Sequence, residues 1–153
     1  MRRIVPLLLL ALPLGLLANP QLVEAESEQN RADIRRVADP AASGGVFVHA
    51  PKDYAPVFRA YVPAKGDSFT IWVRHRGHAV QLKTFEPDGI TQIEHAWAWH
   101  KGSEWKWSKL GTFSRITLGS EILLIRGPGA TADAGLDAVI FSTDPAFVPP
   151  AAP

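Results

Sequence analysis

The chain of 153 residues has no cysteine, and its single methionine is the first residue. It can therefore form no disulfide framework, offer no thiolate nucleophile and carry no cysteine-linked lipid. Charge of one sign is also lacking: 16 basic and 15 acidic residues leave a formal +1. A protein that grips phosphates without regard to sequence needs a basic surplus, so no nucleic-acid partner is expected. Helical periodicity is missing too, since beyond the first segment no stretch repeats apolar residues at i, i+3 and i+4 for three turns. Catalytic signatures are equally scarce. There is no G-x-S-x-G elbow and no H-E-x-x-H helix, and no enzyme is expected.

The chain does have a leader-like start. Arg2 and Arg3 precede an apolar run from Ile4 to Leu17 that Pro6, Pro13 and Gly15 interrupt. That is a basic n-region and an h-region, too short and too broken to form a stable membrane span. The product is expected to be secreted or periplasmic. Two cuts are open, one after Ala18 and one after Ala25, where Val23-Glu24-Ala25 has the small-residue pattern of a processing site. The first leaves the alternating segment "LVEAES" in the mature protein and the second destroys it. Residues 19–148 then read as one domain, large enough to bury a core without staples. Residues 149–153 form a proline-rich tail expected to be loosely ordered.

Between leader and tail, 13 prolines and 12 glycines across the chain punctuate short β-branched and aromatic runs. The predicted strands are Val46 to His49, Val57 to Val62, Phe69 to Arg76, Ala79 to Phe85, Gln92 to Trp99, Trp105 to Leu110, Ser114 to Thr117, Ile122 to Arg126 and Leu136 to Ser142. Turn chemistry separates them, as in Glu86-Pro87-Asp88-Gly89 and Gly127-Pro128-Gly129. "ADIRRVADP" reads as a single helical turn stopped at Asp39-Pro40. In "SFTIWVR", Phe69, Ile71 and Val73 share one fully apolar face, whereas "EILLIRG" is apolar on both faces and predicts a more buried strand. Many short strands at regular spacing predict an all-β sandwich or barrel.

Four of the five tryptophans crowd into "HAWAWHKGSEWKW". Trp97 and Trp99 share one face of a strand, and Trp105 and Trp107 one face of the next, with a glycine-containing turn between them, so the segment predicts a tryptophan-rich hairpin. Exposed indoles suit the apolar C–H faces of sugar rings, with His95, His100, Glu104 and Lys106 as neighbouring polar groups. For any single tryptophan a core position is the competing reading. His75 and His78, three apart, read as a solvated strand end pointing to opposite faces, and no histidine spacing is that of a zinc site.

Taken in order, "LVEAES", "VADPAASGGVFV", "YVPAKGDSFTIWVR", "WKWSKLGTF" and "GLDAVIFSTDPAFVP" resemble the carbohydrate-binding modules of the family 6 and family 35 type. The likeness runs from about Leu22 to Val148. It implies a jelly-roll β-sandwich of two antiparallel sheets, galactose-binding-like, with "EAE" on its first strand and the cut therefore after Ala18. It also implies a structural calcium held by Glu24, Glu26 and Asp137, carboxylates whose hard oxygens suit that ion. Trp107 matches a core-like position of the family, leaving Trp97, Trp99 and Trp105 as candidate ligand contacts. One departure stands out. Many sugar-binding members carry an asparagine before the final "LD" pair, where this chain has Gly135, so that loop site is expected to be degenerate or rebuilt, with Arg126 and Asp133 as polar groups nearby.

The function expected is an exported, non-catalytic protein that docks onto a polysaccharide or glycoconjugate, alone or beside a separate polysaccharide-active enzyme. The alternative is an interaction scaffold that has lost its sugar site and binds an envelope protein through the same aromatic patch.

Overall fold

A computed structural model describes residues 20–25, 34–86, 88–89 and 91–151. The predicted leader, Glu26 and the last two residues lie outside them. Ten strands, a 3₁₀ turn at Ser43–Gly45 and one α-helical turn are described: β1 (Gln21–Glu24), β2 (Arg35–Ala38), β3 (Val46–His49), β4 (Pro56–Tyr61), β5 (Ser68–Arg76), β6 (His78–Phe85), β7 (Gln92–His100), β8 (Lys106–Ser114), α1 (Arg115–Leu118), β9 (Glu121–Arg126) and β10 (Gly135–Ser142). They form two antiparallel sheets. One runs β2-β3-β10-β5-β8 with β1 also paired to β10, and the other runs β4-β9-β6-β7. The all-β sandwich is therefore as expected.

The core lies between the sheets, where the alternating strands send their apolar sides. Phe69, Ile71 and Val73 of β5, with Val139 and Phe141 of β10 beside them, face Val80 and Leu82 of β6 and Ile122 and Leu124 of β9. β1 belongs to this body: Gln21 to Glu24 pair with Phe141 to Ala138, and Ala25 is buried in the core. The strand from Glu121 to Arg126 is buried on both faces, as its composition predicts.

Several expectations are corrected. β2–β3 and β6–β7 pair within a sheet, but the other consecutive strands from β3 onward cross between sheets. β5 and β6 meet at Gly77, whose φ of +70° suits glycine, yet belong to different sheets. The predicted tryptophan hairpin fails likewise, because β7 and β8 lie in opposite sheets and the segment between them carries the chain across. Residues Arg35 to Ala38 form an edge strand against β3, not a helical turn. Arg115 to Leu118 form a helical turn, not a strand. The Ser114 hydroxyl accepts the Thr117 N–H at 3.1 Å, and Gly119 follows as the cap.

Candidate functional site

The outer face of the four-stranded sheet carries the first pair of tryptophans. Trp97 and Trp99 alternate with Ala96 and Ala98, which turn to the core, so both indoles stand outward from β7. Their rings stack, with centroids 5.5 Å apart and planes 26° from parallel. Trp99 is 59% exposed, while Trp97 is half-buried over the next strands. A Cβ on Gly127 would meet the Trp97 ring at 2.9 Å and Ala79 at 2.6 Å, so this glycine gives the indole its seat. Beneath the pair, Ala79, Gln81, Leu123 and Ile125 are buried outside the core cluster. Lys83 pairs with the Glu94 carboxylate at 3.2 Å on the same face. Arg59 and Tyr61 stand on the same face from β4, three strand spacings or about 14 Å away.

The second pair goes to the opposite side of the molecule. Trp107 pairs with Arg74 on the outer face of the six-stranded sheet and is half-buried, so its assignment to the core is corrected. Trp105 is closed in. Phe47 meets it edge-on at 5.3 Å, the Arg76 guanidinium lies 4.4 Å from its centroid, and its Nε1 donates to Asp39 Oδ2 at 3.2 Å. Arg76 is itself fixed, paired with Asp39 at 2.6 Å and donating to the Asp133 carbonyl at 3.0 Å. Gly135 lies under this cluster, where a Cβ would stand 2.2 Å from the Phe47 ring. The departure from the family's asparagine thus has a packing cause: Phe47 fills the space a side chain would need.

The remaining predicted residues do not join either pair. A bulge at His95 sends its ring to Thr84 Oγ1, at 2.6 Å, and against Phe113. There it lines a separate cleft of about 490 Å³ with Phe85, Ile93 and Ile116. Arg126 is buried, bonded to the Ala50 carbonyl and 3.3 Å from Asp53. His100 gives its Nε2 to the Glu104 carbonyl at 2.8 Å and packs 5.8 Å from His75. His75 and His78, read from sequence as solvated and divergent, are both buried, with rings 5.6 Å apart. The crossing at Gly77 turns both inward from different sheets.

This cluster makes stability depend on acid. A neutral His75 satisfies both neighbours, its Nδ1–H donating to the His78 carbonyl at 2.9 Å and its Nε2 accepting the Ser108 hydroxyl at 3.0 Å. Burial, with His78 adding to it, pushes its pKa down to about 3; burial lowers His78 as well. The unfolded chain takes up these protons near pH 6.5 and the folded one does not, so stability falls as pH drops through that value. At about pH 5 His75 alone costs about 2 kcal/mol. Asp137 works in the opposite sense below about 6 and offsets part of this. Thermal melts at pH 7.5 and 5 should show the loss, and His75→Gln should reduce the difference between the two pH values even if it lowers both melting temperatures.

Glu24 and Asp137, two of the expected metal ligands, do come together. Asp137 is a bulge residue between β10 and β5, fully buried, and its Oδ2 accepts from Arg74 Nη1 at 2.5 Å and from the Ser43 N–H at 3.0 Å. Glu24 Oε1 accepts the Ser43 hydroxyl at 2.6 Å. Burial pushes the Asp137 carboxyl up to about 6; Ser43 and Arg74 pull it down and the Glu24 charge adds to the rise. Asp137 Oδ1 is buried with no hydrogen-bond partner among the described residues. An orphaned carboxylate oxygen beside a second carboxylate fits a hard cation. Three metal-ligating residues do not gather anywhere among the described residues, Glu26 being outside them. Arg74 and Ser43 have no local sequence signal, since Arg74 meets Asp137 across 63 positions.

Comparison with known structures bears on the fold. The sandwich superposes on the Podospora anserina GH26-CBM35 β-(1,4)-mannanase with a TM-score of 0.57 and 13% identity, over 87% of this chain and 29% of that one. It also superposes on the C-terminal CBM6 of LamC, a marine laminarinase from Zobellia galactanivorans, with a TM-score of 0.51 and 12% identity, over 81% of this chain and 99% of the module. The fold is that of the family 6 and family 35 carbohydrate-binding modules. The chain also superposes on an exo-β-1,3-galactanase from Phanerochaete chrysosporium at a TM-score of 0.55 and 18% identity, over 81% of this chain. The chain spans 29% of the length of the mannanase and of the galactanase. No family model matches the sequence, and no curated protein does. Among the described residues no helix is long and apolar enough to cross a membrane.

Proposed function

We propose that the protein is an exported, non-catalytic carbohydrate-binding protein that docks onto a polysaccharide or glycoconjugate through the sheet face bearing Trp97 and Trp99. The observation that carries this is the stacked indole pair, open to solvent on one side, on a fold shared with carbohydrate-binding modules. An exposed indole meets the C–H face of a sugar, and Lys83 and Glu94 give polar groups beside it. Trp105, Asp133, His95, His100 and Arg126, considered from sequence as ligand contacts, act in this reading as packing or hydrogen-bonding groups of the fold. Affinity is weak, because an open face buries little area and must displace ordered water. A structural calcium at Glu24 and Asp137 belongs to the same proposal. It would supply a double positive charge to buried oxygens at the junction of β1 and β10, and no sugar contact. Secretion or periplasmic delivery, with the leader cut after Ala18, is the setting that preserves β1.

The test is retention on insoluble polysaccharides and on a glycan array, using the chain from Asn19. Selective retention is expected. Trp99→Ala should abolish it while moving stability by no more than about 0.5 kcal/mol, as for other exposed positions. Trp97→Ala should weaken both retention and stability, because that ring also covers Ala79 and Gly127. The filled space at Gly135 and Phe47 favours a second reading, an envelope-protein scaffold that has lost its sugar site. A folded sample that no glycan retains would select it.

A further inference from the structure

We propose that Arg74 and a divalent cation are alternative counter-charges for the buried Asp137 carboxylate beside Glu24, so that the cation strengthens the fold without being a condition of it. The inference rests on the calcium reading of Glu24 and Asp137 and assigns to Arg74 the setting of that site's strength.

Arg74 is 3% exposed and Asp137 wholly buried, so their contact is made away from water. One guanidinium nitrogen holds Asp137 Oδ2 at 2.5 Å and the other donates to the Ala41 carbonyl at 3.0 Å. The Ser43 N–H reaches the same Oδ2, and the Ser43 hydroxyl reaches Glu24. A single side chain on β5 thus ties together β10, the loop at 41–43 and, through Ser43, β1. Those are the elements a calcium bridging Glu24 and Asp137 would join.

Charge decides how the two relate. Buried Asp137 and half-buried Glu24 bring two carboxylates together, and the guanidinium fixed on Asp137 offsets the charge of one of them. Calcium affinity in an oxygen site rises with the number of charged ligands, and a positive charge held against one ligand works directly against it. Arg74 also commits one of the two Asp137 oxygens, leaving Oδ1 to face a cation. The site therefore keeps its shape when empty and binds calcium weakly. Without the guanidinium the buried Asp137 charge loses the partner that holds it, which is strongly destabilising, and a cation at Oδ1 takes over that role.

The experiment measures melting temperature in chelator and in millimolar calcium chloride, for the unaltered protein, Arg74→Met and Glu24→Gln. Methionine keeps the apolar stem and removes the charge. Arg74→Met should melt about 10 °C or more lower in chelator, and calcium should raise its melting temperature at least about twice as far as it raises that of the unaltered protein. Should it fail to fold in chelator, recovery of the folded circular dichroism spectrum on adding calcium is the same result, and failure to recover overturns the proposal. Glu24→Gln should lose the calcium response and keep its stability in chelator, since Arg74 and Asp137 then balance alone. A calcium response in Arg74→Met no larger than in the unaltered protein would overturn the exchange while leaving the calcium reading intact. No response in any of the three, with no heat of calcium binding by titration calorimetry, would overturn the calcium reading and the exchange with it.

Discussion

A chain that starts at Glu26 is expected to lose the sandwich, while one that starts at Asn19 keeps it. The segment between them contains β1, which pairs with β10 from Ala138 to Phe141. Val23 packs against the core and Ala25 lies in it at 2% exposure. The ladder bonds and the two apolar side chains together represent on the order of 5 kcal/mol. That is comparable to the whole net stability of a domain this size. The deletion also uncovers the edge of β10 at Val139, Ile140 and Phe141, a row of unpaired backbone groups beside apolar side chains that invites pairing with other chains. Circular dichroism and size exclusion on the two chains would check this. The shorter one should be unfolded or aggregated, and a cooperative melt equal to that of the longer one would show β1 to be dispensable. The result bears on processing, because a leader peptidase cutting after Ala25 would release the damaged form. The proposed cut after Ala18 predicts that protein recovered after export begins at Asn19, which N-terminal sequencing reads directly.

How far the sequence reached can be followed strand by strand. Phe69, Ile71 and Val73 declare their face by strict alternation, and the doubly apolar run at Glu121 to Arg126 declares burial on both sides; these are local patterns that need no partner to be read. Pairing is not local. A glycine between two strands looks the same whether the chain folds back into one sheet or crosses to the other, so the segment between Trp99 and Lys106 reads as a hairpin turn and Gly77 gives no sign of the crossing. The hairpin reading puts Trp105 and Trp107 on the wrong side, and the unseen crossing leaves His75 and His78 reading as solvated. The strand expected from Ser114 to Thr117 had a readable warning, a serine cap followed by Gly119. Arg35 and Arg36 made β2 look helical because an edge strand with exposed charges lacks alternation. For the candidate site, the pairing of Trp97 with Trp99 was legible from spacing of two, whereas the seat at Gly127 depends on a neighbouring strand and was not.

A large effect of a single added side chain is expected at Gly135. Restoring the family's asparagine there is the intuitive way to rebuild a loop sugar site, and the structure predicts that it fails. The backbone of Gly135 is not in the left-handed region, so the objection is one of space: an added Cβ would lie 2.2 Å from the Phe47 ring. Phe47 cannot swing aside freely. It is 3% exposed, with Trp105 against its edge at 5.3 Å and the Arg76 guanidinium 4.8 Å over its face. Arg76 is in turn held by Asp39. Overpacking of this kind costs about 3 kcal/mol when the surroundings are this constrained. Gly135→Asn should lower the urea midpoint accordingly and gain no retention on any glycan that the unaltered protein does not bind. Phe47→Ala removes the obstructing ring at its own cost in packing. In that background the asparagine should be much less costly, giving a coupling between the two positions well above 0.5 kcal/mol. Additive costs would mean that the strain lies elsewhere than between Gly135 and Phe47. A coupled pair that also gained sugar retention would reveal the loop site as closed by Phe47 and recoverable once the ring is gone, with the sheet face at Trp97 and Trp99 as a second, independent contact.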